Sequence, residues 1–133
     1  MRAWMIFAPL LLAGCAGSYE PTPLTDKQTV ALDKALAGKV AGAPQSCINR
    51  EPQTNLSVIS NNMLLYRVSR KLIYQNRLIG SCNGLTFGDT IIVRSYGSQM
   101  CRGDFATTAN LQSGITTGAC ALGDFIPYRD PPR

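Results

Sequence analysis

Residues 55–77 read Asn-Leu-Ser-Val-Ile-Ser-Asn-Asn-Met-Leu-Leu-Tyr-Arg-Val-Ser-Arg-Lys-Leu-Ile-Tyr-Gln-Asn-Arg, and this stretch decides the fold class. Three short runs, Asn55 to Ser60, Met63 to Val68 and Leu72 to Arg77, are rich in Val, Ile, Leu and Tyr. Asn61-Asn62 and Ser69-Arg70 separate them, and both pairs suit tight turns. The pattern is that of an antiparallel meander. Side chains alternate across a strand, so Leu65, Arg67 and Ser69 belong to one face and Leu64, Tyr66 and Val68 to the other.

The same texture continues towards the C terminus. Thr90 to Arg94 reads as a strand opened by Gly88-Asp89. Phe105 to Leu111 and Gly118 to Ile126 read as two more, joined by Gln112-Ser113-Gly114. Residues Pro127 to Arg133 hold three prolines and are expected to run extended over the surface. Before the meander, Thr25-Asp26-Lys27-Gln28 fits a capping box. Leu32, Ala35 and Leu36 then share one helical face, with Asp26 near the start, Lys34 near the end and Gly38 as a stop. The stripe is narrow, so this helix of about 13 residues should pack lightly on a sheet. The expected fold is mainly β within the α+β class. It is a small antiparallel sheet or partly open barrel of five to seven strands, with one N-terminal helix and two disulfides.

Cysteine usage supports the staples. Of five cysteines, Cys47, Cys82, Cys101 and Cys120 lie in the β-rich part. An even set fits two disulfides, whereas a chain without histidine and without a C-x₂-C pair is a poor zinc site. Four cysteines allow three pairings. Cys47–Cys82 with Cys101–Cys120 is preferred, because the latter two flank a hairpin.

The fifth cysteine has another use. Met1-Arg2 forms a positive start, Ala3 to Leu12 an apolar run, and Leu12-Ala13-Gly14-Cys15 places small residues before a cysteine. This resembles the lipobox of bacterial lipoproteins. The resemblance implies cleavage after residue 14, lipid on Cys15, and an acylated new N terminus. Trp4 to Ala16 carries no charge but is too short to span a bilayer, which needs about 20 residues. Ala16 in place of Asp favours the outer membrane by the same resemblance, with the domain facing the periplasm. The organisation expected is 1–14 signal peptide, 15–23 lipidated tether, 24–128 one β-rich domain, and 129–133 an extended tail.

Further pieces belong together: Leu36-Ala37-Gly38-Lys39 through Ser46-Cys47-Ile48, then Leu64 to Tyr66 and Cys82-Asn83-Gly84-Leu85. So do Ser98 to Asp104 and Gly118-Ala119-Cys120-Ala121-Leu122-Gly123-Asp124-Phe125. Collectively they resemble a proteobacterial family of small secreted four-cysteine proteins classed as a domain of unknown function. That resemblance implies a β-rich stapled fold and brings no activity, cofactor or site residue.

Little catalytic chemistry is legible. With no histidine, Ser-His-Asp and Cys-His hydrolases are excluded. Gly38 to Gly42 and Gly80 to Gly84 lack the Lys-Ser/Thr of a phosphate loop. Two carboxylates suffice for glycoside hydrolysis, and Glu51, Asp89, Asp104 and Asp124 are the candidates. Gly88-Asp89, Gly103-Asp104 and Gly123-Asp124 form a loose internal pattern. It reads first as three turns that open strands, and second as carboxylates gathered at one rim for a cation. Arg102-Gly103-Asp104 matches an adhesion tripeptide, although a β-turn beside a cysteine explains it.

The chain carries 13 Lys+Arg against 8 Asp+Glu, a formal +5. Arg67, Arg70, Lys71 and Arg77 form one local group, either a solvated sheet face or a weak attraction for anionic envelope polymers. Tyr66, Tyr74 and Tyr96 lie near arginines, but the first two fall in strands, so nucleic acid is not expected as a partner. Three functions follow as expectations. The first is a non-enzymatic envelope lipoprotein needing no cofactor, with a binding, structural or accessory role. The second is an inhibitor or sequestering module against a hydrolase such as lysozyme, and the third a carboxylate hydrolase.

Overall fold

The computed structural model describes residues 20–50 and 55–133; the expected signal peptide, Cys15 and Glu51 lie outside them. Helix α1 spans Asp26–Ala35. Thr25 caps it: its hydroxyl accepts from the Gln28 N–H while the Gln28 side chain accepts from the Thr25 N–H at 3.0 Å. The helix ends at Leu36, and Gly38 takes a positive φ that β-carbon-bearing residues resist. No residue of α1 is buried. Its partly covered Leu32 and Ala35, with Leu36 just beyond, rest on Ile59, Met63, Leu65 and Ile73, which is the light packing expected.

Eleven strands follow among the described residues, in three antiparallel sheets. Strands β1 (Val40–Ala41), β3 (Asn55–Ser60), β4 (Met63–Arg67), β5 (Leu72–Arg77) and β11 (Phe125–Arg129) make one sheet, ordered β1-β11-β5-β4-β3. A second holds β6 (Ile79–Ser81), β7 (Thr90–Arg94), β9 (Phe105–Ala109) and β10 (Thr116–Ala121), ordered β6-β10-β9-β7. The third pairs β2 (Cys47–Asn49) with β8 (Gln99–Cys101). The meander β3-β4-β5 appears as expected, and so does the alternation along β4: Met63 and Leu65 face the helix layer, Leu64 and Tyr66 the main core. Because both faces are covered, β4 is buried along Met63–Tyr66 rather than alternately exposed.

The main core lies between the two larger sheets, where Leu64, Leu78, Leu122 and Phe125 are essentially inaccessible. Tyr66 and Tyr74 pack against the Phe125 ring with centroids at 5.9 and 6.3 Å, inside the range of favourable aromatic pairs.

Three expectations need correcting. The disulfides are Cys47–Cys101 and Cys82–Cys120, not Cys47–Cys82 and Cys101–Cys120. Cys101 does not flank the β9–β10 hairpin within one sheet. It lies on β8, directly opposite Cys47 on β2, so the first bridge joins cross-strand neighbours with Cα atoms 4.0 Å apart. Cys82 follows β6, which pairs with β10, and this brings it to Cys120.

Residues 118–126 do not make one strand either. The chain leaves the four-stranded sheet after Ala121 and enters the five-stranded one at Phe125, turning at Gly123. Nor does the chain from Pro127 run free: β11 continues to Arg129, and Asp130 pairs with Lys39 at 2.7 Å. Pro127 is tolerated because β1 ladders only with Tyr128 and Arg129. Its carbonyl still accepts from Gly42 at 2.7 Å.

Candidate functional site

Where β5 runs into β6, the chain changes sheets at Leu78, and β11 opens beside it. Asn76, fully buried, pins the crossing: its amide donates to the Gly123 carbonyl at 2.8 Å and accepts from the Gly123 N–H at 2.9 Å. A β-carbon on Gly123 would overlap the Arg77 carbonyl, so only glycine lets the two segments meet. This seam floors an open groove of about 490 Å³. Leu78, Ile79, Ile126, Pro21 and Pro44 supply apolar walls. Arg77 lines it, as do Arg102 and Asp124, which pair with each other at 2.9 Å. The groove is a place to hold an amphipathic group, and Arg77 has no ion-pair partner among the described residues.

The opposite end of the five-stranded sheet is basic. Arg67 closes β4, Arg70 and Lys71 occupy the β4–β5 turn, and Arg129 closes β11; all four are exposed. Lys39 joins them, donating to the Arg70 carbonyl at 2.6 Å as well as to Asp130. Arg77, grouped with these residues in the sequence, stands at the other end of β5, opposite Met63. Pro21, Thr22, Pro23 and Leu24 gather at that second end, around Asn62, Met63 and Arg77. Asn62 donates to the Thr22 carbonyl at 3.2 Å. Along β4, four steps from Met63 to Arg67 at about 3.3 Å each set the two ends roughly 13 Å apart.

The three Gly-Asp pairs each open a strand, β7, β9 and β11 in turn. Their carboxylates are occupied separately. Asp89 accepts from the Thr117 hydroxyl at 2.7 Å and the Asn110 amide at 3.2 Å. Asp104 accepts from the Cys101 N–H at 2.9 Å, and Asp124 from Arg102. Asp89 adjoins the Ala109 end of β9 while Asp104 adjoins its Phe105 end, so no single rim collects the three. Among the described residues no group of three His, Cys, Asp or Glu is placed to hold a metal ion. The Arg102-Gly103-Asp104 tripeptide is a turn: Gly103 has positive φ, Arg102 holds Asp124, and Asp104 caps Cys101.

Beside Asp89 a small polar cluster locks the Asn83-Gly84 loop on the four-stranded sheet. Thr108 donates to the Asn83 carbonyl, and a β-carbon on Gly84 would overlap Asp89 and Thr117. Its role is to pack the loop. The Tyr66 hydroxyl is the other buried polar group of note; it has no hydrogen-bond partner among the described residues, and burial pushes its pKa up to about 12. It stays neutral and idle at ordinary pH.

Sequence reading found the basic hairpin and the Gly-Asp turns. It did not find the groove, because Pro21, Pro44, Leu78, Arg102 and Ile126 are brought together only by the sheet crossing. No protein-family model, curated protein or solved structure matches the chain.

Proposed function

We propose that this protein is a non-enzymatic lipoprotein of the bacterial envelope. It is anchored through Cys15 in the outer membrane and presents its basic end to an anionic envelope polymer. The described domain is a disulfide-stapled β domain, the construction expected of a small domain in an oxidising compartment. The observation that carries the binding role is the segregation of the exposed cations Arg67, Arg70, Lys71 and Arg129 at one sheet end, where Lys39 is already neutralised by Asp130. Residues 21–24 enter at the other, so an anchor upstream of them leaves the cations facing outward. Cations near an anionic surface contribute about 1 kcal/mol each.

Reversing two of them with Arg70→Glu and Lys71→Glu should weaken binding to isolated peptidoglycan or lipopolysaccharide at least tenfold, read by co-sedimentation. Raising salt from about 0.05 to 0.3 M should weaken the unaltered chain likewise. Binding that ignores both changes refutes the polymer reading. Anchoring is tested separately: Cys15→Ser should accumulate as precursor and lose palmitate labelling.

The groove supports a second reading, a module that sequesters a partner's side chain between Ile79 and Ile126. Ile79→Asp should abolish that capture without touching polymer binding.

A further inference from the structure

Sheet edges are a liability that folds manage by shortness, bulges, cover or charge. In the five-stranded sheet, β1 has two residues, and β3 shifts register between Val58 and Ser60. In the four-stranded sheet β6 has three residues, and in the two-stranded sheet β2 and β8 have three each. Strand β7 is neither short nor bulged. It pairs with β9 through five residues without a register shift, and among the described residues no strand lies on its other side. It contains no proline, and its only charge is the terminal Arg94.

We propose that β7 is a self-association edge, joining a second copy of this chain in antiparallel register about Ile92. The sequence Thr90-Ile-Ile-Val-Arg94 is complementary to itself in that register. Ile92 meets Ile92, Ile91 meets Val93, and Thr90 meets Arg94. β-Branched pairs are favourable cross-strand partners. Charge selects the direction. Parallel copies would oppose Arg94 with Arg94, whereas the antiparallel register sets each Arg94 against a threonine that adjoins Asp89 of the other copy.

The flanks agree. Phe87 and Tyr96 are the most exposed aromatic side chains in the described domain, at 89% and 97%. The register brings Tyr96 of one copy to Gly88 of the other, next to its Phe87, at both ends of the pairing. The result is an eight-stranded sheet with Ile92, 44% exposed in the single chain, at its centre. Five paired residues and two ring contacts fall short of the roughly 800 Å² per partner of a standard interface. The dimer is therefore weak, forming at micromolar concentrations and above.

Cysteine cross-linking reads the register directly in the full chain in mild detergent, with Cys15→Ser throughout so that no other thiol competes. Opposed Cα atoms lie about 4.5 to 5.5 Å apart, within disulfide reach, while residues two places off the axis are separated by about 13 Å from themselves. Ile92→Cys should therefore link to itself on mild oxidation. Thr90→Cys and Arg94→Cys should each stay monomeric alone and link when mixed. Self-linking of Thr90→Cys or Arg94→Cys as efficient as that of Ile92→Cys overturns the register. Sedimentation of the uncrosslinked chain supplies the second measurement: its average mass should rise with concentration, and Ile92→Lys should abolish the rise with an unchanged circular dichroism spectrum. A constant monomer mass up to about 1 mM overturns the proposal.

Discussion

Removing the two disulfides one at a time, each as a double alanine variant so that no free thiol is left to reshuffle, should give unequal losses. Chain entropy alone puts the bridges nearly level. Their loops span 54 and 38 residues, which corresponds to about 4 kcal/mol each, with the longer loop ahead by about 0.3 kcal/mol. Burial reverses that order. Cys82 is inaccessible and Cys120 only 7% exposed, and both belong to the main core, whereas Cys47 and Cys101 are half-buried on the small two-stranded sheet. Trimming two buried sulfurs adds about 1 kcal/mol apiece. Cys82→Ala with Cys120→Ala should thus cost about 6 kcal/mol, against about 4 for Cys47→Ala with Cys101→Ala. Whole domains are stable by about 5 to 15 kcal/mol, so the first variant sits at the edge of unfolding. Urea titration under non-reducing conditions, followed by far-ultraviolet circular dichroism, should separate the midpoints by about 1 M at a slope of about 2 kcal/mol per M. Equal midpoints, or a lower one for the Cys47–Cys101 deletion, would refute the claim that core burial outweighs loop length.

Gly123→Ala should lower the unfolding free energy from urea titration by several kcal/mol, because the new methyl overlaps the Arg77 carbonyl. Gly38→Ala, in open space but at positive φ, should cost only about 1 kcal/mol. Thr25→Ala removes the helix cap and should cost about 1 kcal/mol, with faster amide exchange confined to α1. Tyr66 should make the domain alkali-sensitive. Its phenol ionises near 10 when unfolded and near 12 when folded, so its contribution is intact below pH 10 and lost as pH rises towards 12, by roughly 2 to 3 kcal/mol. Tyr66→Phe should flatten that decline and be neutral or mildly stabilising at pH 7, since the hydroxyl it removes is unsatisfied. A thermal melt across pH 8 to 12 checks both.

What was legible in the sequence was local. The capping box, the β3-β4-β5 meander and the limits of β7 depend on residues close in the chain, and each appears where the pattern puts it. Strands β1, β2, β6 and β8 are too short, at two or three residues, for any periodicity to register. The disulfide partners and the groove failed for a different reason. Both depend on which sheet a segment joins, and β2 finds β8 some 50 residues away through three backbone pairings that no composition announces. Gly123 is the residue at which this non-local choice is made. In the sequence it resembles Gly88 and Gly103, yet it alone of the three lacks positive φ and serves a close backbone approach instead.

The two bridges interleave, since Cys82 lies inside the first loop and Cys101 inside the second. A protease that cuts any one peptide bond between Cys47 and Cys120 therefore leaves two fragments still covalently joined. Between Cys82 and Cys101 both bridges span the cut. On either side of that interval one does. A single nick on β7 or in the β9–β10 turn changes the chain's continuity without releasing any part of it. Detecting such damage requires reduction before electrophoresis.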